Sequence, residues 1–440
     1  MINKALAAVA LLAPLAGLAA DWPMLMAGPQ HRGQAEPDAK LALQDLRVAW
    51  RFDVHATVSA SPVAAGRQLF IGAENGNLYA LDLQSRQLQW LFHARAGIAS
   101  TPAVADGVIV FLARDGNLHA LDAASGAPVW TFHTQGEAVF AAHGMYGLPL
   151  EPEPVPDPWD LYLSSPLIHD GKVYVGSSDQ RVYALDLRSG KLAWVFKTGG
   201  MVHSSPALSG SNIVIGSWDG AVYALDAASG AEKWRYQTQT EQKHSIMFGI
   251  QASPSVDGET VYVGSRDGYF YALDAANGKR KWRYDAKGSW VVGTAAIDQE
   301  NVYIGTSDSG LLLALDKRSG AEKYRYATKV WAFASPVRAG DALFGASMKG
   351  EVLGLDAASG ALRWRYLTDA GRADVFRVLD GTTGGFDSAR LYGTAPHQLH
   401  AALEHVKHLG AFIASPLWHK GQLIVADANG QVLVFAGAQP

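Results

Sequence analysis

The chain has 440 residues, 48% apolar and 18% charged, enough to bury a large core, and its 46 glycines and 19 prolines imply many turns. Its 37 basic and 41 acidic residues leave a net charge of −4 with no block of like charge, which argues against a nucleic-acid backbone or an anionic membrane surface as partner. The absence of cysteine excludes disulfides, thiolate metal sites, haem attached through a cysteine pair and a lipidated N-terminal cysteine.

Residues 1–20 read as a cleavable secretory signal: Lys4 precedes an apolar run from Ala5 to Leu15, and small residues follow at Gly17, Ala19 and Ala20. The expected mature protein is periplasmic or secreted, without a membrane span or lipid anchor. Residues 21–44 form an N-terminal extension. "LRVAWRFDV", around Trp50, then reads as an isolated strand.

From there the chain repeats one phrase with a period of about forty residues, the length of a four-stranded propeller blade. Asp82, Asp122, Asp186, Asp226, Asp274, Asp316 and Asp356 each close an "ALD"-like strand, and each is followed eight residues later by an aromatic: Trp90, Trp130, Trp194, Trp234, Trp282, Tyr324 or Trp364. In 204–240, "SSPAL", "IVIGS", "AVYALD" and "EKWRYQT" read as four short strands. Asp219-Gly220 and the "DAASG" phrase supply the turns between them. An Asp that recurs in every unit is a turn cap, not a catalyst. The recurrent aromatic is expected to bury itself against the next blade. For about 200 Å² of buried Trp, this contributes on the order of 5 kcal/mol of gross hydrophobic free energy per seam.

Seven units are complete, and an eighth, "ASPLWHKGQLIVADANGQVLVFAG", ends before its fourth strand. The strand around Trp50 supplies what is missing. The expectation is an all-β, eight-bladed β-propeller of four-stranded antiparallel blades over 45–440, its ring closed by an N-terminal strand that completes the C-terminal blade and removes two exposed edges.

Three insertions, 137–163, 241–251 and 371–413, interrupt the repeat, all between a fourth strand and the next first strand and hence on one face. The first carries Phe140, His143, Met145, Tyr146 and Trp159 around a Pro-rich stretch, and suits either a lid or partner surface or a cap packed on the rim. The second carries His244 and Met247. In the third, "PHQLHAALEHVKH" reads as a short helix with His397, His400, Glu404 and His408 on one side and His405 at its edge. That set could ligate Zn²⁺ or Cu²⁺, or could simply be solvated or packed. At the channel mouth His203, Trp290 and Trp331, with Arg372 and Arg377 after the seventh blade, suit a planar anionic ligand or ordinary channel filling. No nucleophile with a paired base is evident.

The phrases "SSPLIHDGKVYVGSSDQRVYALDLRSGKLAWVFKTGG" and "DWPMLMAGPQHRG" resemble the pyrroloquinoline quinone (PQQ) repeat family, and the resemblance spans nearly all of residues 21–440. It implies the eight-bladed fold. It also implies one of two functions, since the family holds quinoprotein alcohol dehydrogenases and cofactor-free propellers such as the bacterial outer-membrane assembly lipoprotein. The chain departs from the first in lacking a cysteine pair and the extra calcium-binding loops, and from the second in lacking a lipidated cysteine. The reading is therefore an exported, non-catalytic scaffold that binds a protein or ligand on its insertion-bearing face. The alternative is a small PQQ-dependent alcohol dehydrogenase with Ca²⁺ beside the quinone.

Overall fold

The computed structural model describes residues 21–35, 40–143, 154–238, 249–392 and 396–437, with side chains omitted at Tyr392 and 396–400. The expected leader over 1–20, most of the second insertion and the Pro-rich centre of the first lie outside these residues.

Eight blades of four antiparallel strands surround a central axis, and the blade over 337–367 gains a fifth, parallel strand, Gln34–Ala35, on its inner edge. Blade 1 is built, from the axis outward, of Val63–Ala65, Gln68–Gly72, Asn77–Asp82 and Leu88–His93; blades 2 to 7 repeat this over 103–133, 167–197, 207–237, 255–285, 296–327 and 337–367. Blade 8 takes Leu417–His419, Gln422–Ala426 and Gln431–Ala436 from the C-terminal region, and its outermost strand is Arg47–Asp53. Arg47 stands opposite Ala436 and Asp53 opposite Gln431 in an antiparallel pair. The ring closes as expected.

Each blade is buried on both faces by its neighbours, so its two middle strands are mostly apolar and buried, as in Asn212–Gly216 and Ala221–Asp226. The outermost strands alternate instead, and in Glu232–Gln237 only Trp234 is buried. Turn chemistry follows the repeat. Gly220 takes φ +80° while Asp219 accepts the Ala221 N–H at 2.9 Å. In the next turn Asp226 accepts from Ser229 Oγ and N, which, with Lys233, holds its carboxyl down at about 2.

The recurrent aromatic welds one blade to the next. The Trp234 indole donates across the seam to Ala275 O at 2.9 Å, and Trp90, Trp130, Trp194 and Trp282 make the same bond to Ala123, Leu187, Ala227 and Lys317. The turn glycine of the following blade lies flat under the ring. A Cβ on Gly126 would stand 2.6 Å from Trp90, so any side chain there would lift the indole. The closing seam breaks this rule. Trp50 faces a turn with Arg86 at φ +61° in the glycine position, and its buried indole N–H has no partner.

Inside the ring, a Ser or Thr stands two residues before each innermost strand, and in seven of the eight blades its hydroxyl receives the backbone N–H of the preceding blade. Ser61 donates to Thr101, Thr101 to Ser165, Ser165 to Ser205 and Ser205 to Ser253; Thr294 donates to Ser335, Ser335 to Ser415 and Ser415 back to Ser61, at 2.9–3.1 Å. Between Ser253 and Thr294 the link is made differently, by Ser255 Oγ to Ala295 O at 2.7 Å.

Residues 21–35 form a strap across the end of the channel away from the insertions. The inner strands have free N–H groups on the axis side, and the strap's carbonyls satisfy them: Trp22 O takes Ala64 N, Pro23 O takes Val104 N, Gln30 O takes Val256 N and Gly33 O takes Arg338 N. His31 is buried within it, with Nδ1 3.0 Å from Pro254 O, and burial lowers its pKa to about 4.

Candidate functional site

The turns between second and third strands and the connections between blades lie on one face, as the backbone bonds from Ala94 N to Gly76 O and Thr238 N to Gly220 O show. The first insertion folds back over this face through a two-residue hairpin, Ala141–Ala142 with Val155–Pro156, and sends Asp157–Leu163 across the channel mouth. Trp159 packs edge-on against Trp331 at 4.5 Å, and Tyr162 donates to Ile413 O at 3.1 Å on the far side of the ring.

Arg266 and His203, both buried, and the half-buried Glu137 and Arg114 anchor this part of the insertion. Arg266 Nη1 meets Asp157 at 2.5 Å with both side chains fully buried, and Nη2 reaches Gln251 Oε1 and Trp159 O. His203 holds Asp160 through Nδ1 at 2.7 Å and Ser178 Oγ through Nε2 at 2.6 Å. Burial alone would lower the His203 pKa, but the Asp160 carboxylate outweighs it and the net displacement is upward, so the imidazolium is favoured. Glu137 accepts from Ser177 Oγ, Ser178 Oγ and Ser178 N, while burial raises its carboxyl. Arg114 forks onto Glu74 with two bonds of 2.8 Å and caps Leu161 O at 3.1 Å.

Ser178, His203 and Asp160 thus have the connectivity of a nucleophile–base–orienter set, yet the surroundings oppose catalysis. Glu137 occupies the Ser178 N–H that would stabilise an oxyanion, and the hydroxyl is buried among its partners. The arrangement locks the segment in place.

An aromatic stack completes the mouth. Phe140 lies on Trp218 at 4.1 Å, and the Arg266 guanidinium lies between Trp218 at 4.6 Å and Trp290 at 4.3 Å. The third insertion covers the neighbouring sector with α1 (Asp369–Ala373), α2 (Ser388–Tyr392) and α3 (Pro396–Lys407). Ala402, Leu403 and Val406 of α3 bury against Met348, Trp331 and Ile413, which accounts for its amphipathic spacing. The "DGTTGG" phrase is a turn in which Asp380 accepts the N–H groups of Thr382 and Thr383.

Of the residues expected at the mouth, His203, Trp290 and Trp331 do converge there. Arg372 instead pairs with Asp369 near the outer edge of blade 8, where Arg51 also approaches, and Arg377 stands exposed on the third insertion. In the His-rich helix, Glu404 pairs with Lys407 at 2.6 Å, and His405 and His408 rest on Phe376 at 4.2 and 5.2 Å. His397 and His400 lie in α3 with side chains outside the description. Among the described residues no group of three His, Asp or Glu is placed to hold a metal ion.

The sequence reading missed Asp157, Asp160, Ser178, Trp218 and Arg266. For Ser178, Trp218 and Arg266 a signal was present: the residue ahead of the turn between second and third strands is Glu74, Arg114, Ser178, Trp218, Arg266, Ser307, Met348 or Ala428, a position that varies within an otherwise regular repeat. These side chains ring the mouth, where blade packing imposes no common residue.

The geometry tests the quinone directly. A planar tricarboxylate needs a flat slot and uncommitted cations. The flat slot between Trp218 and Trp290 is filled by Arg266, which is itself neutralised by Asp157. Beneath the plug the channel narrows to a chamber of about 40 Å³, whereas cofactor-sized ligands occupy roughly 300 Å³ or more. These residues do not fit PQQ.

Among solved structures, the chain is similar to BamB from Moraxella catarrhalis (18% identity, TM-score 0.66, 89% of this chain and 99% of that one). It is also similar to the quinohemoprotein alcohol dehydrogenase from Comamonas testosteroni (15% identity, TM-score 0.71, 96% and 81%). The computationally designed Ika8 protein aligns as well (14% identity, TM-score 0.62, 87% and 97%). At such identities these likenesses establish the fold and nothing more. No curated protein matches the chain in sequence. The family model described as outer membrane protein assembly factor BamB matches residues 40–145, 158–289 and 266–383, most of the chain, and on that ground the protein belongs to this family of PQQ-repeat propellers.

Proposed function

We propose that this protein is an exported, non-catalytic scaffold that binds a protein partner of the cell envelope through its insertion-bearing face. The observation that carries this reading is the self-filled channel mouth: Arg266 takes the slot between two tryptophans and Trp159 closes the axis, leaving the outer surface of that face for recognition. On that surface the third insertion presents Val375 and Phe376 at 72% and 42% exposure, adjacent apolar side chains on a short loop. The assembly-factor description of the family favours a scaffold over an oxidoreductase. The leader-like residues 1–20 supply the route to the envelope.

Calorimetric titration of the mature protein with PQQ, with and without Ca²⁺, is expected to show no binding; saturable one-to-one binding would reject the reading. A photo-crosslinking residue at position 375 is expected to trap a defined envelope protein in intact cells. Phe376→Asp should abolish that adduct while leaving the fold unchanged. An adduct indifferent to this substitution would place the docking surface elsewhere.

A further inference from the structure

The hydroxyl ring and the chamber it encloses remain unused by this function. All eight ring residues line the chamber, together with Leu25 of the strap below and Tyr162, Leu163 and His203 toward the plug. Each ring residue is at least nine-tenths buried. The ladder engages seven of the eight hydroxyl oxygens as acceptors, Thr294 being the exception, and among the described hydrogen bonds none of the eight hydroxyls donates. A hydroxyl whose oxygen takes an N–H still has its proton to give. The chamber wall is therefore rich in O–H donors. The carbonyl of the lining residue Ala99 is committed to Leu163 N, and those of Ile413 and Trp159 are committed to Tyr162 and to Gln251 and Arg266.

We propose that this chamber is a binding site for a small monatomic anion, chloride or bromide, held by ring hydroxyls alone or with bridging water. A volume of about 40 Å³ admits no more than about three water-sized bodies, which excludes oxyanions with organic substituents as well as cofactors. The chemistry of the lining selects the sign of the charge. No carboxylate lines the chamber, so a cation would find no compensating charge, and the ionisable groups on its wall are His203 and Tyr162. Convergent neutral donors in a low-dielectric enclosure stabilise a weakly hydrated anion, as oriented N–H and O–H groups do in backbone anion nests. The strap borders the chamber below and the plug borders it above, and an anion bound between them would stabilise the folded state by linkage.

The test is a bromide soak of crystals of the mature protein, read by anomalous scattering, together with thermal unfolding in chloride, bromide and gluconate at equal ionic strength. The expected results are an anomalous peak inside the hydroxyl ring and a halide-specific rise in midpoint of roughly 1–2 °C at ten times the dissociation constant, growing with the logarithm of halide concentration above it. Thr294 accepts none of the ladder N–H bonds described, so Thr294→Val removes a donor without orphaning a backbone group. This variant should raise the half-saturating halide concentration about 3- to 10-fold. A chamber without a bromide peak, equal midpoints in chloride and gluconate, or an unchanged halide response in Thr294→Val would each overturn the proposal.

Discussion

The closing seam offers a stabilising substitution that can be worked out from its geometry. At every other seam with an indole, the Trp N–H is bonded, and where a complete turn follows, a glycine lies beneath the ring; Trp90 over Gly126 and Trp234 over Gly278 are examples. At the seam between blades 8 and 1, Arg86 holds φ +61° and Trp50 Nε1 is buried without a partner. Arg86→Gly removes a left-handed strain of about 1–2 kcal/mol. It also lets the ring settle, and a bond from Nε1 to the Leu83 carbonyl would recover about 1 kcal/mol. Against this stands the extra freedom of glycine in the unfolded chain, about 0.5–1 kcal/mol. The expected net gain is about 1–2 kcal/mol, measured as a higher urea midpoint at unchanged slope. The companion substitution Trp50→Phe should be nearly neutral in the parent, because no indole bond is lost, and should cost about 1 kcal/mol more in the Arg86→Gly background. Trp234→Phe should cost that much in either background. If Arg86→Gly fails to stabilise, or if Trp50→Phe is as harmful in the parent as Trp234→Phe, the account of this seam is wrong.

Asp427 is pushed up to about 6, chiefly by burial with the nearby Asp53 adding to it, against the backbone bonds from Asn429 and Gln431 that favour its charge. A raised carboxyl contributes stability in full below pH 3.8 that is lost as pH rises through about 6. Asp427→Asn should therefore be more stable than the parent above pH 7, by about 3 kcal/mol at most, and equal to it near pH 3.5, in denaturant titrations across that range. His31 behaves in the opposite sense: its pKa of about 4 means that stability is intact above pH 6.5 and falls by about 3 kcal/mol as pH drops through 4. Hydrogen exchange at Val256 and Ala64, whose N–H groups the strap covers, should accelerate in acid, and His31→Asn, which suits the left-handed backbone there, should remove that acceleration. Asp157→Asn leaves the Arg266 cation buried without its counter-charge and should cost about 3–5 kcal/mol by chemical denaturation, whereas Asp157→Leu with Arg266→Met should cost distinctly less than the single change.

The periodic features were legible in the linear chain. Residues such as Asp226, Ser229 and Gly230 act within one turn, Trp234 acts in the same way at each seam, and the orphan strand around Trp50 could be matched to the unfinished last unit by counting alone. The insertions announced themselves as breaks in spacing, and the face they share followed from strand parity. Local interactions of short range repeat whenever their residues repeat, so pattern reveals them.

What the insertions do at the axis was decided only by the tertiary structure. Asp160 meets His203 across 43 positions of sequence and Asp157 meets Arg266 across 109, and although the repeat marks Arg266 as a variable position it does not say which insertion residue it will meet. Arg372 and Arg377 looked equivalent to His203 as candidates for the mouth, but the helices of the third insertion carry them to the outside. The strap's carbonyl bonds, the axial chamber and the filled slot between Trp218 and Trp290 likewise exist only once the ring has closed. Blade packing depends on near neighbours and so is written in the repeat, whereas the axis is where all eight blades meet and its contacts depend on closure of the whole ring.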